Sequence, residues 1–175
     1  MGVEREFNKV KLFTGIIFKD RIQLNKVIEI FSDRFSAVDS ESDIIPFDMT
    51  DYYHPEMGSP LFRKFISFQQ LIHPQQLSGI KIFSNRVEAQ FSDRGRRRFN
   101  IDPGFVSEAN VILATTKNHY HRIPLQEGVY AHMEYTIRKK KVVPLEWTYP
   151  DFKKKEYMNF FNRLISLYKQ QVQQP

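Results

Sequence analysis

The chain has no cysteine, one tryptophan and only seven glycines in 175 residues. Without cysteine there are no disulfides, thiolate metal sites, cysteine nucleophiles or thiol redox chemistry. No apolar run approaches the ~20 residues of a membrane-spanning helix, and Met1–Lys11 is too polar for a signal-peptide core. The expectation is a cytoplasmic protein with no membrane contact. Several motifs are missing too. There is no G-x-x-x-x-G-K-S/T phosphate loop, no G-x-G-x-x-G, no G-x-S-x-G elbow, no H-E-x-x-H and no EF-hand loop. These absences exclude a P-loop nucleotide fold and weigh against a Rossmann cofactor site and a serine-hydrolase elbow. The paired His-x-Thr pattern of the two-histidine phosphoesterases is absent as well.

What is present suffices for a core. Hydrophobic residues make up 41% of the chain, with 16 Phe and 8 Tyr, and this excludes disorder as the main state. A chain of this length folds as one domain and buries about 70% of its unfolded surface. The net charge of +6 is unevenly spread: residues 1–60 hold seven basic and eleven acidic side chains, and the remainder hold nineteen and nine. The basic excess gathers at Arg94–Arg98, Arg138–Lys141 and Lys153–Lys155. Such clusters suit an anionic partner or simply keep turns solvated. No RNP-like motif, zinc finger or helix-turn-helix pattern accompanies them, so a nucleic-acid reading rests on charge alone.

Hydrophobic spacing predicts alternating strands and helices. Val10–Phe18 is β-branched and aromatic on both faces, a central strand in which Gly15 leaves room for a close neighbour. Asp20 is placed to cap a helix carrying Leu24, Val27, Ile28, Phe31 and Phe35. Asp39–Pro60 reads as a long structured loop with a short strand near Ile44–Phe47, followed by a strand at Phe62–Phe68. His73-Pro74 opens a helix with Leu77, Ile80, Ser84, Val87 and Phe91 on one face. A strand at Arg97–Ile101 is ended by Pro103-Gly104, and Asn110–Thr115 is a short apolar strand. Val129–Arg138 alternates as a half-buried strand paired with Val142–Leu145 through a Lys-rich turn. A final helix spans about Lys154 to Gln171, with Asp151 near its start as a cap, while residues 1–8 and 170–175 fray. The fold class is α+β: one domain over residues 1–175, a mixed or antiparallel sheet and about three helices. The strand–helix–strand–strand–helix–strand order permits a ferredoxin-like split unit.

Four segments are unusually polar and aromatic. Phe47–Gly58 packs Asp48, Asp51, Tyr52, Tyr53, His54 and Glu56 into a Pro/Gly loop, which suits acid–base chemistry, a divalent metal or mere turn structure. Asp102 precedes Pro103-Gly104, at a predicted strand end where ligand sites of α/β sheets tend to lie. Thr115-Thr116-Lys117 and His119-x-His121-Arg122 follow another strand and offer hydroxyl, ammonium, imidazole and guanidinium donors. A lone His-x-His pair without a third ligand assigns no metal. Glu146–Asp151 holds the single Trp147, expected to plug the core edge.

PFDMTDYYHPEMG, RFNIDPGFVSEANVILATTKNHYHRIPL, GVYAHMEYTIRKKK and PLEWTYPDF, in this order, resemble a bacterial family of domains of unknown function, numbered 4416. The likeness runs from Val10 to the final helix. Some members carry the label "GTP-binding protein". The resemblance implies that Asp51–Tyr53, Asp102–Gly104 and Thr115–Arg122 belong to one site, adding Tyr52, Tyr53 and Gly104 to the candidate ligand-binding residues. The leading expectation is a protein binding an anionic, phosphorylated or nucleotide-like small molecule. Lys117 and Arg122 would hold the anion, Thr115 and Thr116 would donate hydrogen bonds, and Asp102 and Asp51 would orient the ligand or act as acid–base groups. His121 is the candidate for proton transfer, with an ordinary pKa near ~6.5. Two alternatives stand beside it. One is a non-catalytic RNA- or protein-interaction module using the basic clusters. The other is a divalent-metal hydrolase built from Asp48, Asp51, Glu56, Asp102 and His121. The sequence names no cofactor and no oligomeric state.

Overall fold

A strand that is apolar on both faces must be covered on both, and every residue of Val10–Phe18 is buried. The structure, a computed structural model, describes residues 2–173. Along the chain lie β1 (Val10–Phe18), α1 (Leu24–Phe35), β2 (Val38–Glu41), β3 (Ile45–Pro46), α2 (His54–Met57), β4 (Phe62–Ile72), α3 (Leu77–Gln90) and β5 (Phe99–Val106). They are followed by β6 (Asn110–Thr115), β7 (Ile123–Pro124), β8 (Tyr130–Arg138), β9 (Lys141–Pro144) and α4 (Lys155–Gln173). The strands form one open antiparallel sheet in the order β2-β4-β1-β5-β6-β8-β7, with β3 beside β4 and β9 beside β8. The fold is α+β. Its first half, β1-α1-β2-β4-α3-β5, has the spatial order β5-β1-β4-β2, which is the ferredoxin-like split arrangement. β3 and α2 are inserted into that unit, and β6 to β9 widen its sheet.

Helices cover both faces. The stripes Leu24, Val27, Phe31 of α1 and Ile80, Val87 of α3 pack on Leu12, Ile16, Ile66, Phe68 and Ile101. On the opposite face, Tyr157, Phe160, Phe161, Leu164 and Tyr168 of α4 pack on Phe13, Phe65, Val111 and Tyr135. Gly15 does admit a close neighbour: a Cβ there would lie 2.8 Å from Cε1 of Phe65. Among the described residues no helix is long and apolar enough to cross a membrane.

The structure corrects several expectations. Asp20 does not cap α1; its carboxylate accepts from Ile22 N–H at 2.9 Å in a local turn, and the N-cap is Gln23. Two short strands, β2 and exposed β7, lie where no strand was expected. Pro103-Gly104 does not end β5, which continues to Val106. β8 is covered on the face expected to be open, because its polar residues His132 and Glu134 are as buried as the core while Ala131 and Met133 are only partly covered. Asp151 does not cap α4; its side chain pairs with Arg63. α4 runs on through Gln173, with Gln171 accepting from Lys11 Nζ at 2.8 Å and donating to Gln69 O at 2.8 Å. The remaining tail residues, 174–175, and Met1 lie outside the described residues.

Candidate functional site

Proline has no N–H to give a sheet ladder, and Pro103 sits where one ladder stops. β5 pairs with β1 along its whole length, from Phe99 to Val106. Its pairing with β6 covers only Gly104–Val106 against Val111–Leu113, although β6 stays paired with β8 through Thr115. Gly104 fixes the point of closest approach, since a Cβ there would lie 2.3 Å from Ile112 O and 2.5 Å from Cζ of Phe13. Past Gly104 the two strands part. The opening is lined by α3, the Phe47–Tyr53 loop and the Tyr149–Phe152 segment, which together bound a cavity of about 480 Å³.

Six of the predicted site residues line that cavity: Tyr52, Tyr53, Asp102, Thr115, Thr116 and Lys117. Three stretches far apart in sequence therefore meet. The Lys117 ammonium lies 4.0 Å from the centre of the Tyr52 ring and lowers the pKa of that phenol. Thr115 Oγ1 accepts from Lys117 N–H at 3.2 Å, which sets the turn that leaves the strand. The other four candidates are placed differently. Asp51 is exposed and outside the wall, its carbonyl accepting from His54 N–H at 2.8 Å. Gly104 is behind the cavity and is required by packing. His121 stacks on Trp147 with ring centres 5.0 Å apart. Arg122 braces the site from outside, donating to Lys117 O at 2.7 Å and to the Tyr149 hydroxyl at 2.6 Å.

Much of the charge in the cavity was not expected from the sequence. Asp102, in mid-strand, accepts from Asn100 Nδ2 at 2.7 Å and lies 3.3 Å from Lys81 Nζ and 3.8 Å from Arg63 Nη2. Arg63 is 5% exposed and pairs with Asp151 at 2.7 Å, enclosed by the rings of Phe47, Phe65, Phe152 and Tyr157. Arg97 grips Glu56 with two bonds of 2.8 and 2.7 Å and reaches Glu88 at 3.2 Å. Burial pushes the Glu88 carboxyl above its ordinary range, against the opposing pull of Lys81. Burial likewise raises the phenols of Tyr53 and Tyr149, keeping both as hydrogen-bond donors at neutral pH. One signal was available. Lys81, Asn85 and Glu88 follow helical spacing beside the apolar stripe of α3, so they had to face the sheet edge rather than open water.

These pairings redistribute the basic clusters. Arg97 is spent on Glu56 and Glu88, Arg98 pairs with Asp93 at 3.2 Å, and Lys154 holds Asp48 and the Pro46 carbonyl. The five residues of the metal-hydrolase reading do not converge, since Asp48, Glu56 and Asp102 are each engaged by a different cation. Among the described residues no three His, Asp or Glu side chains are placed to share an ion. Lys117 is different. Among the described residues it has no carboxylate partner.

His132 also lines the cavity. Burial, and secondarily the charge of Arg122, depress its imidazole from 6.5 to about 4. The unfolded chain thus takes up this proton more readily than the folded one. Stability is expected to fall as pH drops from about 6.5 towards 4, by up to ~3 kcal/mol, with no contribution above that window. Denaturant midpoints at about pH 7 and 4.5 check this. His132→Asn should lose less on acidification than the wild type.

Fold and cavity together define an α+β protein with a ferredoxin-like core and a polar hollow at a parted strand pair. The model of the family described as Domain of unknown function (DUF4416) matches residues 8–168, and the chain belongs to that family. No curated protein and no solved structure matches.

Proposed function

We propose that the protein binds a small anionic molecule, phosphorylated or nucleotide-like, in the cavity between β5 and β6. One observation carries this reading: a cavity with aromatic walls gathers four cationic side chains, and Lys117 among them lacks a carboxylate partner in the described residues. An unpaired ammonium beside the Thr115 and Thr116 hydroxyls is suited to phosphate or carboxylate oxygens. Asp102 and the neutral phenols of Tyr53 and Tyr149 would select the polar part of the ligand. The cavity volume of about 480 Å³ falls within the range of small-molecule sites.

Thermal unfolding with a panel of nucleotides and sugar phosphates tests the proposal. A ligand at ~100 times its Kd adds about 2.7 kcal/mol, which raises the midpoint by roughly 5–10 °C for a chain of this size. Lys117→Ala should weaken binding by about tenfold or more through loss of a charge-assisted contact. Equal, null responses in both proteins would remove the idea.

A further inference from the structure

The polar face of β8 carries a second arrangement. His132 and Glu134 are 1% and 0% exposed, yet a row of imidazoles joins them to the surface. Exposed His119 places Nδ1 at 2.9 Å from His121 Nδ1, and His121 Nε2 lies 3.0 Å from His132 Nδ1. His132 Nε2 is in turn 2.7 Å from Glu134 Oε2. This last contact is close but out of hydrogen-bonding alignment, so the His132 ring has to turn for a proton to pass to Glu134. Arg122 fixes the direction. Its Nε–H can only donate, and it faces His132 Nδ1 at 3.3 Å. Nδ1 therefore accepts, and the ring proton of His132 sits on Nε2, towards Glu134. His121 then donates from Nε2 and accepts at Nδ1 from His119. All three ring protons point inward.

We propose that His119, His121, His132 and Glu134 form a proton relay between bulk water and the carboxyl group behind the cavity wall. A proton from water bonds to His119 Nε2, and His119 gives its Nδ1 proton to His121 Nδ1. His121 releases its Nε2 proton to His132 Nδ1. His132 breaks its Nε2–H bond as Glu134 Oε2 forms an O–H bond. One proton enters, one carboxylate becomes a carboxylic acid, and the three rings finish in the opposite tautomers. That end state sets a His132 N–H against the Arg122 N–H, which favours the return. The groups around the relay support this direction. Glu134 faces Tyr149 N–H at 2.8 Å and the charges of Asp151, Arg63 and Arg122, and Tyr135 lies beside it. Burial raises Glu134 well above the carboxyl range, making it the acceptor, while Arg122 and burial keep His132 from retaining the proton. His121 touches His119, His132, Arg122 and the Trp147 ring, and Tyr149 stacks on His132 at 4.9 Å. His132 and Tyr149 both line the cavity, so the relay sets the charge directly behind it.

Time-resolved infrared spectroscopy after a drop in pH across the Glu134 titration, located beforehand by static spectra, reads the acid band of Glu134, assigned by its loss in Glu134→Gln. His121→Phe keeps a ring on Trp147 but has no nitrogen. Glu134 should protonate roughly tenfold or more slowly in this variant, with the same final amplitude. Equal rates in variant and wild type, or no Glu134 acid band, would overturn the relay. Nitrogen NMR of the unmodified protein gives a second reading that needs no variant. The neutral rings should show Nε2–H for His121 and His132 and Nδ1–H for His119, and opposite tautomers at His132 would refute it.

Discussion

Asp151→Ala is expected to cost about 3–5 kcal/mol of stability, a fall of roughly 6–20 °C in Tm. The reason is the position of Arg63. Its guanidinium is buried, its near partner is Asp151 at 2.7 Å, and its other carboxylate, Asp102, stands back at 3.8 Å. Four aromatic rings within 4.9 to 5.7 Å of the guanidinium carbon supply cation–π attraction but no acceptor for its N–H groups. Arg63 Nε already has no hydrogen-bond partner. Removing Asp151 leaves a charge out of water with one distant counter-ion. The double variant Arg63→Met with Asp151→Leu removes both charges and should recover most of the loss. Urea midpoints of the two proteins make the comparison. An Asp151→Ala protein as stable as the wild type would mean that Arg63 reaches solvent.

Phe65→Ala is the second large effect, again about 3–5 kcal/mol. Phe65 stands under α4, with the rings of Phe152, Tyr157, Phe160 and Phe161 centred 4.8 to 5.6 Å away. Gly15 lies against its other edge and has no side chain with which to fill the void. The loss should fall near the upper end for that reason. A coupled result tests the geometry: Gly15→Ala destabilises the wild type, where its Cβ would meet Phe65 at 2.8 Å, but costs less or nothing in Phe65→Ala. Additive effects would show that the two positions do not touch.

The parts of the fold that were legible in the sequence are those set by short-range hydrophobic period. β1 reads as covered on both faces because Val10–Phe18 is apolar at both parities, and α1 and α4 show their stripes directly. The ends of β6 fell at Asn110 and Thr115 as expected. β2 and β7 escaped because Val38 with three polar residues at a sheet edge, and an Ile-Pro pair, carry no period. Only the far end of β5, from Asp102 to Val106, escaped, because Pro-Gly is normally a stop. Here the chain uses proline where a ladder ends and glycine where a ring and a carbonyl press in.

The site was legible in its membership more than in its chemistry. The motif resemblance groups Tyr52, Asp102 and Lys117, and the three share one cavity. Asp51, Gly104, His121 and Arg122 stand outside its wall, three of them as neighbours that shape or support it. Arg63, Lys81 and Glu88 are not legible as site residues because a charged residue in an amphipathic stretch reads as solvated. Their partners are 7 to 88 residues away in sequence, and all but the Lys81–Glu88 pair within α3 leave no local trace. The same holds for His132 and Glu134. An alternating strand displays a polar face, and only the Trp147–Tyr149 segment folding back over β8 turns that face into an interior.

Chemical-shift mapping on the isotopically labelled protein, titrated with a nucleoside monophosphate and with inorganic phosphate, tests the binding site most directly. Shifts are expected at Tyr52, Asn100, Asp102 and Thr115–Lys117 together, with the Lys139–Lys140 hairpin unmoved. Shifts confined to that hairpin, or none at any of these positions with every anion tried, would contradict it.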